Sequence, residues 1–400
     1  MPEAVIVAAA RSPIGRAYKG SMTEVRPDDL TATIVQAAMA QVPELDPSQI
    51  DDLLLGCGLP GGEQGYNMAR VVTALLGWEV PGTTITRYCS SSLQTTRMAM
   101  HAIRAGEGDV FVSAGVEMVS RYVKGSSDGL PETRNPRFAE AQARTEARAQ
   151  GGAETWEPSD LPDVYIPMGQ TAENVALLRD VSREAMDDYA FTSQRRYADA
   201  KAAGFWDREI TPITLPDGSV MDADESPRLA DRDKMRELKP VFRPDGRVTA
   251  GNACPLNDGA AALIVMSDTK AAELGIEPLA RVVATGVTAL DPEIMGLGPV
   301  EASKQALRRA GMTISDVDIV ELNEAFAAQV LPSAEALGVD HADLNPFGGA
   351  IALGHPFGMT GARITTTLLN GLRERDQTIG LETMCVGGGQ GMAMIVERLR

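Results

Sequence analysis

The run Ser48-Gln49-Ile50-Asp51-Asp52-Leu53-Leu54 is paralleled by Ser315-Asp316-Val317-Asp318-Ile319-Val320-Glu321 about 270 residues later. Neighbouring points match at similar separation. Residues 4–9 read as a buried strand, and residues 281–287 resemble it. Residues 28–40 read as a helix with Pro27 before it, and residues 300–310 as another, between Pro299 and Gly311. Strands are expected at 52–57, 83–87 and 109–114, with a helix from 90 to 105 ended by Gly106. A duplicated βαβ half accounts for this rhythm; coincidence among generic strand–helix units is the alternative. Such alternation predicts a mainly parallel sheet covered on both faces.

The segment between the halves differs. Residues 119–247 are rich in charge, Pro and Gly, as in the run 124–131, and hold two helical stretches at 171–179 and 183–203. They read as an insertion over one face, where α/β scaffolds place substrate contacts. Residues 260–266 then resume a strand pattern and complete the first half.

Composition narrows the partners. The formal net charge of −18 argues against nucleic acid and anionic membrane, and an anionic ligand needs a local basic patch. No apolar run approaches the ~20 residues of a membrane span. The N-terminus enters a strand with no basic leader before it, so no signal peptide is expected. Cys57, Cys89, Cys254 and Cys385 form neither a disulfide framework nor a zinc spacing, which points to a reducing, cytoplasmic setting and no metal.

Cys89 sits where the β-branched run Thr84-Ile85-Thr86 turns into Ser90-Ser91-Ser92, a helix start more than a core face. A free thiol is only about 3% thiolate at pH 7. A helix terminus contributes ~0.3–2 kcal/mol, less than the ~2.7 needed to lower its pKa by two units, so a neighbouring base is expected. His355, in Gly354-His355-Pro356, is the candidate; His101 lies mid-helix and His341 in a polar loop. Cys385 follows a strand and opens Gly387-Gly388-Gly389-Gln390-Gly391. That run is either a nest of N–H groups for an oxyanion or a tight strand-to-strand turn. Asn323-Glu324 follows the strand at 317–322, where open α/β sheets place ligands; a plain helix cap is the alternative. The match Gly56-Cys57-Gly58-Leu59-Pro60-Gly61 to a dinucleotide fingerprint is set aside, because its proline and following glycines suit no helix start.

At this point the chain resembles the thiolase family over its whole length. The motifs are Ala8-Ala9-Ala10-Arg11-Ser12-Pro13-Ile14-Gly15, Gly251-Asn252-Ala253-Cys254-Pro255-Leu256-Asn257-Asp258-Gly259, Asn323-Glu324-Ala325-Phe326 and Gly348-Gly349-Ala350-Ile351-Ala352-Leu353-Gly354-His355-Pro356. The resemblance implies an α/β thiolase fold: two duplicated βαβ halves in five αβαβα layers, with an inserted α-rich loop domain. The halves would be residues 1–118 plus 250–275 and residues 276–400, and the insertion 119–249. The implied activity is cleavage of 3-ketoacyl-CoA by CoA, or the reverse Claisen condensation. By the same resemblance Cys89 carries the acyl group, His355 activates it, Asn323 holds a water at an oxyanion site, and Cys385 moves protons at the α-carbon or the CoA sulfur. Backbone N–H groups of Cys89 and Gly387 would form a second oxyanion site. Met168, Met295 and Phe326 resemble the apolar lining near the thioester. Cys254 lies in the pantetheine turn, and Arg228 resembles a residue at the nucleotide end, with a solvated surface charge as its alternative. Coenzyme A enters as substrate, no cofactor is bound permanently, and a homodimer or homotetramer is implied.

The chain departs from the family pattern at Thr86 for Asn, Ser92 for Gly, Cys254 for Ser and Met359 for Cys. Ser92 is expected beside the acyl pocket. Pro167, where biosynthetic relatives carry His, leans toward degradative thiolysis. A short-chain acetoacetyl-CoA thiolase, a decarboxylating ketoacyl synthase and a non-catalytic CoA-binding protein of the same fold are the competing readings.

Overall fold

The computed structural model describes residues 1–122, 133–152, 155–228 and 231–400; the Pro/Gly run 124–131 lies outside them. Its strands, in chain order, are β1 (Ala4–Arg11), β2 (Gly15–Arg16), β3 (Asp52–Cys57), β4 (Gly82–Ile85), β5 (Val110–Met118), β6 (Ile213–Thr214) and β7 (Val220–Met221). They continue as β8 (Asn257–Ser267), β9 (Ala280–Ala289), β10 (Ile319–Leu322), β11 (Ile379–Val386) and β12 (Gln390–Arg398).

One sheet runs β10-β11-β12-β9-β1-β8-β5-β3-β4, with β2 beside β8. The order β1-β8-β5-β3 recurs as β9-β12-β11-β10, mirrored about a short β1·β9 contact, Val5 with Arg281 and Ile6 with Ala280. In both halves the first two pairings are antiparallel and the third parallel. The counterpart of the β3·β4 pairing is a single parallel bridge, Val320 with Leu344. The matched aspartates also do the same work. Asp51 Oδ2 accepts from the N–H groups of Asp109 and Val110 at 2.7 and 2.9 Å. Asp318 Oδ2 accepts from those of Thr378 and Ile379 at 2.9 and 2.8 Å.

The expected mainly parallel sheet is corrected to a mixed one. Between β11 and β12 stand only three glycines, far too few for the crossover a parallel pair requires, so β12 returns antiparallel. β8 does the same in the first half, between β1 and β5.

Strand alternation builds the layers. Val5 and Val7 of β1 join one core with the helices Pro27–Met39 and Met68–Leu75, while Ala4 and Ile6 face a second. In β12, Met392 and Met394 face that second core, and Ala393 and Ile395 a third with the helix Ala327–Leu337. Side chains of period two on a sheet covered on both faces require this partition. The second core holds the helices Ser91–Ala105 and Thr360–Glu374, sandwiched between the two half-sheets. They cross so closely that a Cβ on Gly361 would stand 2.3 Å from Leu93 N. The N-termini of these two central helices are where the Cys89 turn and the His355 turn come together.

Candidate active site

Cys89 lies in a single 3-10 turn, Tyr88–Ser90, that feeds the helix Ser91–Ala105. It is 9% exposed and opens into a cavity of about 510 Å3, which Met168, Phe357, Gly387 and Gly388 also line. The preceding Tyr88 takes φ of 45°, a left-handed conformation costly for a non-glycine residue and held here by its surroundings. Burial pushes the Cys89 thiol up to about 12, against the opposing pull of the nearby Gly387 N–H. The resting group is therefore a neutral thiol, and the helix terminus does not make it a standing thiolate.

His355 follows Gly354, where a φ of +116° and an added Cβ only 2.5 Å from the Asn257 side chain admit only glycine. Asn257 Oδ1 accepts from His355 N at 3.0 Å and fixes the turn. His355 Nδ1 lies 2.7 Å from Thr360 Oγ1, and Thr360 donates to the Pro356 carbonyl at 2.8 Å. A hydroxyl has one hydrogen, so Nδ1 carries the proton and Nε2 the lone pair. Asn323 Nδ2 donates to Nε2 at 3.3 Å, which fits the same tautomer. Burial, with Arg363 adding, pushes the imidazole down to about 3. It rests neutral.

Asn323 is not a helix cap: the next helix begins at Ala327. Its Oδ1 is buried with no partner among the described residues. Glu324 is structural. Its carboxylate gathers Tyr189 OH, Ser193 Oγ, Asn345 Nδ2 and Ile351 N, tying the helix Arg183–Ala202 to the segment that leads into His355.

Cys385 is fully buried at the end of β11. Burial, with Cys89 and Cys254 adding, pushes its thiol well up. Its glycine run is a tight strand-to-strand turn: Gly388 and Gly389, at φ of +75° and +79°, carry β11 into β12, and Gly387 and Gly388 line the Cys89 cavity.

Three of the remaining candidates line two separate cavities. Met168 shares the Cys89 cavity. Cys254 and Arg228 line a second cavity of about 430 Å3, together with Phe242. Phe326 packs edge-on against Phe242, and Met295 is buried in the third core; neither lines either cavity. Arg228 is exposed, and its guanidinium donates to the Ala250 carbonyl. His101 and His341 are exposed. Ser92 differs from expectation: it is wholly buried, and its Oγ accepts the Ala362 N–H at 2.9 Å. It satisfies an open N–H of the helix Thr360–Glu374 rather than facing the acyl group.

Three supporting residues escaped sequence reasoning. Glu117, fully buried on β5, accepts from the N–H groups of Gly58, Leu59 and Gly358 and from Gln64 Nε2. It binds the loop after β3 to the turn after His355, and burial raises its pKa. Arg87 bridges Gln94 and Gln390, holding the nucleophile turn to the glycine turn. Thr360 sets the imidazole. Only Glu117 carried a signal, a carboxylate inside an otherwise apolar strand. No α-helix opens on the Gly56–Gly61 match; the chain continues from it into the 3-10 turn Gly62–Gln64.

Residues 4–269 match the family model for the thiolase N-terminal domain, and residues 276–398 that for the thiolase C-terminal domain. The chain is 41% identical to a β-ketoadipyl-CoA thiolase of Acinetobacter baylyi, over all of both chains. It is 42% identical to the 3-oxoadipyl-CoA/3-oxo-5,6-dehydrosuberyl-CoA thiolase of Escherichia coli, again over all of both. The crystal structure of human mitochondrial 3-ketoacyl-CoA thiolase in complex with CoA superposes with a TM-score of 0.86 at 35% identity, over 100% of this chain and 98% of that one. Two family domains in order, with relatives matched from end to end, leave no part of the two-halved fold unaccounted for: this chain belongs to the thiolase family.

Proposed function

We propose that this thiolase cleaves 3-ketoacyl-CoA through an acyl group carried on Cys89. As the Cys89 sulfur attacks the 3-keto carbon, its proton passes to His355 Nε2. The C2–C3 bond then breaks, and the electron pair left on C2 takes the Cys385 proton to give acetyl-CoA. Cys385, now a thiolate, takes the proton of an incoming CoA thiol, and that sulfur attacks the Cys89 thioester. Acyl-CoA leaves, and Cys89 recovers its proton from His355. The Nε2–H formed in the first step becomes an oxyanion donor, joined by a water held on Asn323 Oδ1. The N–H groups of Cys89 and Gly387 hold the second oxyanion. Each such donor is typically worth about 3–4 kcal/mol, which offsets the cost of creating charge between two groups that rest neutral.

The observation that carries this reading is the Cys89 sulfur, open to a cavity of about 510 Å3 that Gly387 and Gly388 of the turn after Cys385 also line. On the other side, Cys254 and Arg228 would line the path of pantetheine and nucleotide, Arg228 supplying the local cation that a −18 chain needs for an anionic substrate. Met295 and Phe326 would back that path without facing it. Residues 119–249 act as the inserted loop domain between halves 1–118 plus 250–275 and 276–400. The half-exposed edge strand β4, paired on one side only, supports a homo-oligomer, since an open edge invites a second copy. A cytoplasmic place in the breakdown of acyl chains suits this chemistry. Among the described residues no helix is long and apolar enough to cross a membrane.

The test is CoA-dependent loss of 3-ketoacyl-CoA by the purified protein, with mass spectrometry for the acyl-enzyme. Wild type turns over and accumulates acyl-Cys89; Cys89→Ala does neither. An equally active Cys89→Ala protein would end the proposal.

A further inference from the structure

Among the described residues, the Cys89 cavity has one charged residue on its wall, Arg134. Its NH1 donates to Gln142 Oε1 at 3.1 Å, and its guanidinium carbon stands 5.8 Å from the centre of the Tyr165 ring. No carboxylate pairs with it among the described residues, whereas its neighbours Arg144 and Arg148 both reach Glu293. In a chain with 55 acidic and 37 basic residues, a cation left without a carboxylate and facing a cavity is a receptor for an anion from outside. Tyr165 lines the same wall. Its hydroxyl accepts from Asn135 N–H at 3.1 Å, so the phenolic hydrogen remains to donate. Phe138, edge-on to Tyr165 at 5.5 Å, fixes that ring. Val164, Ile166 and Met168 add apolar surface to the same wall.

We propose that Arg134 and Tyr165 anchor a carboxylate at the far end of the acyl chain, so that the preferred substrate is an ω-carboxy-3-ketoacyl-CoA. This rests on the thiolytic reading of Cys89 and adds the substrate class. The methylenes lie along the apolar wall, the 3-keto carbon reaches Cys89, and the terminal carboxylate takes the guanidinium and the phenol. A neutral chain of equal length leaves both donors without an acceptor, which is where discrimination arises.

The experiment compares kcat/KM for matched pairs: 3-ketoadipyl-CoA against 3-ketohexanoyl-CoA, and 3-ketosuberyl-CoA against 3-ketooctanoyl-CoA. Wild type prefers the carboxylated member of at least one pair by about tenfold or more. Arg134→Gln lowers that ratio about tenfold, chiefly through KM, Arg134→Lys restores part of it, and Tyr165→Phe lowers it less. High salt compresses the ratio in wild type but not in Arg134→Gln. Wild type that cleaves the neutral chains as well or better overturns this inference alone. A ratio unmoved by Arg134→Gln does the same. Wild type that cleaves none of the four overturns the thiolytic reading with it.

Discussion

His355 Nδ1 and Thr360 Oγ1 lie 2.7 Å apart, and the Thr360 hydrogen is already committed to the Pro356 carbonyl. One hydroxyl five residues along the chain therefore decides which imidazole nitrogen is basic. Thr360→Val keeps the volume but removes the acceptor. We expect kcat to fall about ten- to hundredfold, part of what a positioned acid–base group contributes, with KM little changed and Thr360→Ser close to wild type. Equal loss in kcat and in thermal stability across the series would make Thr360 a packing residue instead.

Cys89 and His355 rest uncharged, at about 12 and about 3. Thiolate absorbance near 240 nm, taken as wild type minus Cys89→Ala, should be absent from pH 6 to 9. The imidazole proton resonances of His355 should show the neutral form down to about pH 4. The linkage has a definite sign. In the unfolded chain the imidazole takes up a proton below about 6.5, and in the folded protein only near 3. This group therefore contributes stability above 6.5 that is lost as pH falls toward 3. His355→Asn should flatten that part of the acid limb in denaturant titrations.

Glu117 leaves no place for an amide. Oε2 accepts from Gly58 N and Gly358 N at 2.8 and 2.9 Å, and Oε1 from Gln64 Nε2 and Leu59 N at 2.8 and 3.2 Å. Glu117→Gln turns an NH2 toward N–H donors in either orientation. A loss of about 1–3 kcal/mol is expected in urea unfolding, along with reduced kcat, because one loop it joins follows His355 and the other, at Leu59, lines the Cys89 cavity. A variant as stable as wild type would contradict this.

Ser92 is expected from sequence beside the acyl pocket, yet its Oγ is spent on Ala362 N–H. Ser92→Gly should cost about 1–2 kcal/mol, from one lost buried hydrogen bond and the lower helix propensity of glycine. The ratio of kcat/KM between short and long 3-ketoacyl-CoAs should stay where it was. A changed ratio would return Ser92 to the acyl pocket.

Local sequence was enough for the elements and for the list of reactive groups. Period-two and period-3.6 patterns mark strands and helices. Pro299 and Gly311 bound a helix by backbone sterics alone, and the Asp51/Asp318 match marks the duplication. Rare residue types, two thiols and an imidazole, marked the reactive groups, and the family resemblance supplied the reaction. Other features needed the folded chain. Strand direction depends on how each strand re-enters the sheet, so the mixed sheet is visible only once β8, after the long insertion, and β12, after a three-residue turn, take their places. Protonation states depend on burial, which reverses the ease of ionisation expected for a thiol at a helix start. Glu117, Thr360 and Arg134 act through partners between 5 and 241 positions away or across a cavity wall. A carboxylate, a hydroxyl or a guanidinium gains a role only from what tertiary packing puts opposite it, and no local pattern records that.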